Sequence, residues 1–190
     1  MKVSIIYGSV RSNRKGIRAV KLLDQLCRER DWQVAIIDPM EYQLPLLDKM
    51  YKEYDQGDAP PAMEQISEHL NTSDGFIVVS GEYNHSIPPA LKNVLDHFQK
   101  EYYFKPSGIA AYSAGQFGGM RAAVHLRAIL AELGTPAIPT IVSYPKIQHV
   151  LDEHGNVQEA YYTKSSNRFL DELYWYMEAF KTQRAKGTPT

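Results

Sequence analysis

Short runs of β-branched and apolar residues recur along the chain at 3–7, 33–37, 76–80, 109–113 and 137–142. Each is too short for a helix and rich in Ile and Val, so each predicts a strand. Most are apolar on both faces instead of alternating, the pattern of parallel strands sandwiched between helices. The stretches between them carry helical spacing. Over 16–30, Ile17, Val20, Leu23, Leu26 and Cys27 form one apolar face opposite Lys21, Asp24, Arg28 and Glu29. Weaker repeats run over 61–70 and 88–100, entered through Pro60-Pro61 and Pro88-Pro89, where proline suits a first turn. A further helix over 119–133 ends at Gly134, and a last one over 163–184 carries Phe169, Leu170, Leu173, Tyr174, Met177 and Phe180.

Strand and helix alternate five times with no hairpin dipeptide between strands, which predicts an α/β protein with a parallel sheet and helices on both faces. Five such units suit a flavodoxin-like doubly wound sheet of order 2-1-3-4-5, a single domain over 1–190 whose last residues, Thr188 to Thr190, fray. Two connections, 38–60 and 143–162, are long enough to suggest function or mobility.

The 21 Lys and Arg against 22 Asp and Glu leave a net charge of −1, so no global field gathers nucleic acid or an anionic membrane, and any anion site must be local. The apolar run before Gly8 is too short for a signal core or a membrane span. The one cysteine, Cys27, falls on an apolar helix face and reads as a buried small hydrophobe; a soluble protein of a reducing cytosol is expected.

In open parallel sheets ligands bind beyond the carboxyl ends of the strands, next to the point where strand order reverses. For order 2-1-3-4-5 those are the loops after strands one, three and four, and they are the least ordinary segments of the chain. Residues 8–16 bring Ser9, Arg11, Asn13, Arg14, Lys15 and Gly16 to a helix start whose amides favour anions, a phosphate cradle in composition that lacks both the Gly-Lys-Ser/Thr ending and the Gly-x-Gly-x-x-Gly spacing. Residues 81–93 offer Glu82, Tyr83, Asn84 and His85 beside a proline-started helix, suited to a planar heteroaromatic ligand. Residues 113–119 supply Ser113, Gly115, Gln116, Gly118 and Gly119, where glycine permits close main-chain approach.

Together these loops closely resemble the NADPH-dependent FMN reductase family of the flavodoxin-like fold, which includes quinone, azo-dye and chromate reductases. The resemblance covers nearly the whole chain. It is most specific in Glu82-Tyr83-Asn84-His85-Ser86 followed by Pro88 and Leu91-Lys92-Asn93-Val94-Leu95-Asp96, supported by Gly8-Ser9-Val10-Arg11 and 113–119. It implies that Ser9, Arg11 and the loop as far as Ile17 hold the FMN phosphate. It also implies that Glu82 to His85 contact the ribityl chain and isoalloxazine, and that Ser113, Gly115, Gln116, Gly118 and Gly119 line the other side of the flavin. Two departures stand out: Gly81 replaces the proline that usually precedes Glu-Tyr-Asn, and Lys15-Gly16 stands where many members carry a Ser or Thr. The implied chemistry is ping-pong hydride transfer from NADPH or NADH to FMN and on to a small-molecule acceptor such as a quinone, flavin, azo compound or metal oxyanion. No side chain is assigned as a catalytic nucleophile or base.

Other readings compete. Ala111-Tyr112-Ser113-Ala114-Gly115 has the spacing of a hydrolase nucleophile elbow, with Asp152 and His154 following in order, although two residues of separation suit a triad poorly. His149, Asp152, Glu153 and His154 match no metal-ligand spacing, and His69, His97 and His125 read as structural or exposed. A non-catalytic electron carrier of this fold would be acidic, unlike this chain. Finally, Tyr42, Leu44, Leu46, Leu47, Met50, Tyr51, Tyr54, Tyr102, Tyr103 and Phe104 exceed what one sheet and two helix layers have room for, which predicts a homodimer or homotetramer with these residues at the interface.

Overall fold

The computed structural model describes residues 1–189. Five strands, β1 (Lys2–Tyr7), β2 (Gln33–Ile37), β3 (Gly75–Ser80), β4 (Ser107–Tyr112) and β5 (Ala137–Tyr144), pair entirely in parallel in the order β2-β1-β3-β4-β5. The helices are α1 (Ile17–Arg28), α2 (Pro61–Thr72), α3 (Pro89–Asp96), α4 (Met120–Glu132), α5 (Ile147–Val150) and α6 (Ala160–Arg184). This is the flavodoxin-like sheet expected from the sequence.

Successive side chains of a strand leave on opposite faces, so every central strand feeds two cores. Val3, Ile5 and Tyr7 of β1 pack with Val20, Leu23 and Cys27 of α1 and Phe169, Leu173 and Met177 of α6. Ile6 of β1 packs with Met63 and Ile66 of α2, Leu91 and Leu95 of α3, and Leu126 and Leu130 of α4. The strands β3 and β4 are buried at every position, which is why they read as continuous apolar runs. Burial pushes the Cys27 thiol up to about 12, making it a packing residue.

Four expectations need correction. The helix expected over 88–100 stops at Asp96; the chain then turns, with the buried His97 ring bonding the Asn93 carbonyl at 2.7 Å, and a 3-10 turn forms at Lys100–Tyr102. The long connections are partly ordered: a 3-10 turn, Tyr51–Glu53, interrupts 38–60, while β5 and α5 take up the start of 143–162. Part of the aromatic and apolar surplus has interior room, while Leu46, Leu47, Tyr103 and Phe104 stay exposed. Tyr102 is fully buried with its ring edge-on to Phe76, and Tyr42, Leu44, Tyr51 and Tyr54 pack partly buried against the core beneath α2 and α3. Segment 38–60 lies over that layer, tied down by Tyr51 donating to Glu64 and Asn93 donating to the Pro45 carbonyl. Tyr174, placed on the apolar face of the last helix, is instead half exposed and stacks on Trp32.

Candidate functional site

The carboxyl ends of β1, β3 and β4 open into a cleft of about 400 Å3 lined by Ser9, Arg11, Asn13, Arg14, Lys15, Gly81, Glu82, Tyr83, Tyr112, Ser113, Ala114 and Ile147. The three loops singled out in the sequence therefore converge on one place, of a size suited to a small ligand.

In the first loop the two arginines have different tasks. Arg14 pairs with Asp38 at the end of β2, donates to the Ser9 carbonyl at 3.3 Å and lies over the Tyr7 ring. Burial works against its charge, yet the hydrogen bond and charge of Asp38 outweigh it and raise the guanidinium above its ordinary pKa. Arg11 is exposed and, among the described residues, has no side-chain hydrogen-bond or ion-pair partner. Its amide donates to the buried Ser9 hydroxyl at 3.4 Å. The start of α1 is drawn back into this loop, because the Ile17 and Arg18 amides donate to the Arg14 and Lys15 carbonyls. Ile17 packs against the core, and neither it nor Gly16 lines the cleft.

The second loop is a tight turn. The Tyr83 and Ser86 amides donate to each other's carbonyls, and Asn84 and His85 between them take left-handed backbone conformations, φ 49° and 67°. Positive φ at both central residues is the mark of a type I′ turn, and Asn and His tolerate that region better than most residues. Asn84 and His85 consequently stand exposed at the tip, outside the cleft lining, while Glu82 and Tyr83 form its wall. The Glu82 carboxylate accepts from the Arg121 and Ala122 amides at 3.1 and 3.4 Å, and also faces the Arg121 guanidinium. It caps α4, whose own cap residue, Gly119, offers no side chain, and so it fixes the second loop to the third.

In the third loop the Ser113 hydroxyl donates to the Gly115 carbonyl and accepts from the Gly118 amide, both under 3 Å. That commits it to the loop and leaves a nucleophile elbow without support. Gly118 and Gly119 have φ of 61° and 77°, and a Cβ on Gly119 would come within 2.7 Å of the Tyr112 carbonyl oxygen. Gly115 and Gln116 are exposed, and none of Gly115, Gln116, Gly118 and Gly119 lines the cleft. The Asp152 carboxylate accepts from the His154 and Asn156 amides and the Asn156 side chain, closing a local turn, which accounts for its lowered pKa.

Two residues that sequence reasoning passed over shape the floor. Tyr112, the last residue of β4, lines the cleft while only 9% exposed. Cβ atoms built on Gly16 and Gly81 would fall 2.1 and 3.1 Å from its ring carbon Cζ, so the phenol is seated between the first two loops in space that two glycines leave open. Tyr7 lies next to it, ring centroids 6.5 Å apart, fully buried, its hydroxyl without a hydrogen-bond partner. Asp38 was missed because an isolated Asp after a strand carries no pattern.

The chain is similar to known proteins over most of its length. The family described as NADPH-dependent FMN reductase matches residues 1–149. A 2-hydroxy-1,4-benzoquinone reductase from a Burkholderia species is 25% identical over 181 residues, 90% of this chain and 93% of that protein. An NAD(P)H-dependent FMN reductase from Pseudomonas aeruginosa is 33% identical over 103 residues; the match takes in 52% of this chain and spans only 56% of that relative's length. Among solved structures, the flavoenzyme NAD(P)H:(acceptor) oxidoreductase FerB of Paracoccus denitrificans superposes with a TM-score of 0.76 at 23% identity, covering 94% of this chain and 98% of that one.

Proposed function

This chain belongs to the NADPH-dependent FMN reductase family, and from that premise we propose that it oxidises NAD(P)H through FMN bound in the cleft beyond β1, β3 and β4 and delivers the electrons to a small acceptor. The donor set fits FMN. Arg11 and Lys15 supply uncompensated positive charge and Ser9 a hydroxyl for a phosphate, while Tyr83 and Ile147 border a slot for a flat ring. When bound, FMN supplies the redox chemistry, accepting a hydride from the nicotinamide and giving up its electrons to the second substrate in a ping-pong cycle. The protein's part is placement. Ser9, Arg11, Asn13 and Lys15 hold the phosphate end, and Arg14 keeps their loop in position through Asp38. Glu82, by capping α4, sets the spacing between the Tyr83 turn and the Ser113 loop. On this reading the main chain of Asn84 and His85 and of Gly115 to Gly119 approaches the ligand from the rim, and no side chain acts as acid or base.

The observation that carries the proposal is the convergence of those three loops on one cleft in which, among the described residues, Arg11 and Lys15 have no ion-pair partner. Initial rates of NADPH and NADH oxidation by the FMN-loaded protein with a benzoquinone acceptor test it: parallel double-reciprocal lines are expected. Turnover only when a separate reductase is added would indicate an electron carrier instead.

We further propose a homodimer, or a tetramer built from it, formed through the face beside the cleft. Leu46 and Leu47, held to α3 through Asn93, are exposed there, as are Tyr83, Phe117, Met120 and Val124 around α4. Sedimentation equilibrium at micromolar concentration should give twice or four times the 21.6 kDa chain mass. Among the described residues no helix is long and apolar enough to cross a membrane.

A further inference from the structure

The Tyr112 ring is held at the floor where both flanking loops carry glycine, and core filling alone would be served as well by phenylalanine. The phenol oxygen lies 2.4 Å from a Cβ built on Gly16 and 3.1 Å from one built on Gly81, so it sits at the junction of the first and second loops. Ser9, Arg11, Arg14 and Lys15 line the same cleft, which places the hydroxyl beside the cationic wall.

Resting on the proposed binding of FMN, we propose that Tyr112 is a cofactor-selecting residue whose hydroxyl donates a hydrogen bond to the phosphate of FMN, with Tyr7 as the hydroxyl that supports it from beneath. A phosphate dianion offers only acceptors, so each group around it must donate. Burial raises the pKa of Tyr112, and burial with the neighbouring Tyr112 phenol raises that of Tyr7, so both remain protonated donors through the neutral range. The Tyr7 hydroxyl is enclosed without a partner, a condition that is unfavourable for a buried polar group. Tyr112 and Ser9 are its polar neighbours. With the Tyr112 proton directed to a phosphate oxygen, the lone pairs of the Tyr112 oxygen are left to face Tyr7, and a small shift of the two rings would let Tyr7 donate to it, in a chain whose hydrogen bonds reinforce one another. Gly16 is then the position that admits this donor, since a Cβ there would fall 2.1 Å from the ring, and Gly81 eases the fit from the second loop.

The test compares FMN with riboflavin, which has the same ring and no phosphate, by fluorescence titration of Tyr112→Phe and of the wild type. The variant keeps the ring and its packing; thermal unfolding checks that it is folded. FMN should bind about tenfold more weakly, as expected for losing a hydrogen bond to a charged group, and riboflavin should change less than twofold. Inorganic phosphate, used as a competitor of FMN, should lose potency by a similar factor. Tyr7→Phe, should Tyr112→Phe not fold, is expected to weaken FMN two- to threefold and leave riboflavin unchanged. Equal weakening of FMN and riboflavin, or no change in either, would overturn the assignment while leaving the flavin site intact. A wild type that binds neither ligand would overturn the flavin reading itself, and the phenol's role with it.

Discussion

Replacing Arg14 by alanine separates the arginine that holds the first loop in place from Arg11, the proposed phosphate ligand. Arg14 and Asp38 form an ion pair in which the Asp38 side chain is 3% exposed and that of Arg14 18%. Removing one partner of a buried pair leaves the other charge uncompensated, at a cost of about 3–5 kcal/mol. Asp38 keeps one other donor, the Met40 amide at 3.0 Å, and Arg14 is not fully enclosed, so the lower end applies: about 3 kcal/mol of stability should be lost. The Arg14 bond to the Ser9 carbonyl goes as well, loosening the loop. Urea denaturation of the apo protein, followed by far-UV circular dichroism, measures the loss. The double variant Arg14→Ala/Asp38→Asn should recover part of it, because the buried charge is then gone. A single variant within about 0.5 kcal/mol of wild type, the size of an ordinary surface substitution, would refute the assignment of Arg14 to the fold.

Arg11→Ala should do the reverse, leaving stability unchanged and weakening FMN binding by about 1.5–3 kcal/mol, the range for hydrogen bonds to charged groups, as read by flavin fluorescence. Unchanged affinity would remove Arg11 from the phosphate site. Ser113→Ala should keep NADPH-dependent reduction within roughly tenfold of wild type and cost about 1 kcal/mol through the lost Gly118 and Gly115 contacts; covalent labelling of Ser113 by a fluorophosphonate would instead support a hydrolase. Lys105 is buried with its ammonium donating to the Leu70, Asn71 and Glu101 carbonyls, and burial lowers its pKa from 10.5 to about 8. Between pH 8 and 10.5 the unfolded chain holds this proton more tightly than the folded one. Wild type should therefore gain stability relative to Lys105→Met as pH rises through that window, by about 3 kcal/mol at 1.36 kcal/mol per pKa unit. A flat difference in denaturation midpoints would contradict it.

What the sequence disclosed and what it withheld divide along a physical line. Strands such as β3, buried on both faces, and α1, with its single apolar stripe, announce themselves because period and burial are local properties of the chain. The three loops were legible for a similar reason, since parallel topology fixes which strand ends gather ligands. Contacts between distant segments were not legible. Nothing near Glu82 indicates that it caps a helix 39 residues away. Tyr112 reads as one more strand residue until Gly16 and Gly81 are found on either side of its ring. Tyr102 reads as surplus because the 3-10 turn that brings it into the core, edge-on to Phe76, has no signature in periodicity. The N-terminal amides of α1 were expected to be free for an anion, yet two bond back to Arg14 and Lys15, moving the donors into the preceding loop.

The central claim is that this cleft binds FMN and that NAD(P)H reduces it there. An anaerobic titration of the FMN-reconstituted, gel-filtered protein with NADPH, and separately with NADH, followed by visible absorption, tests that claim most directly. The account predicts a flavin spectrum that survives gel filtration, bleaches on adding about one equivalent of one or both nucleotides, and returns when a benzoquinone is admitted. A protein that retains no flavin, or whose bound flavin stays oxidised in the presence of both nucleotides, would contradict it.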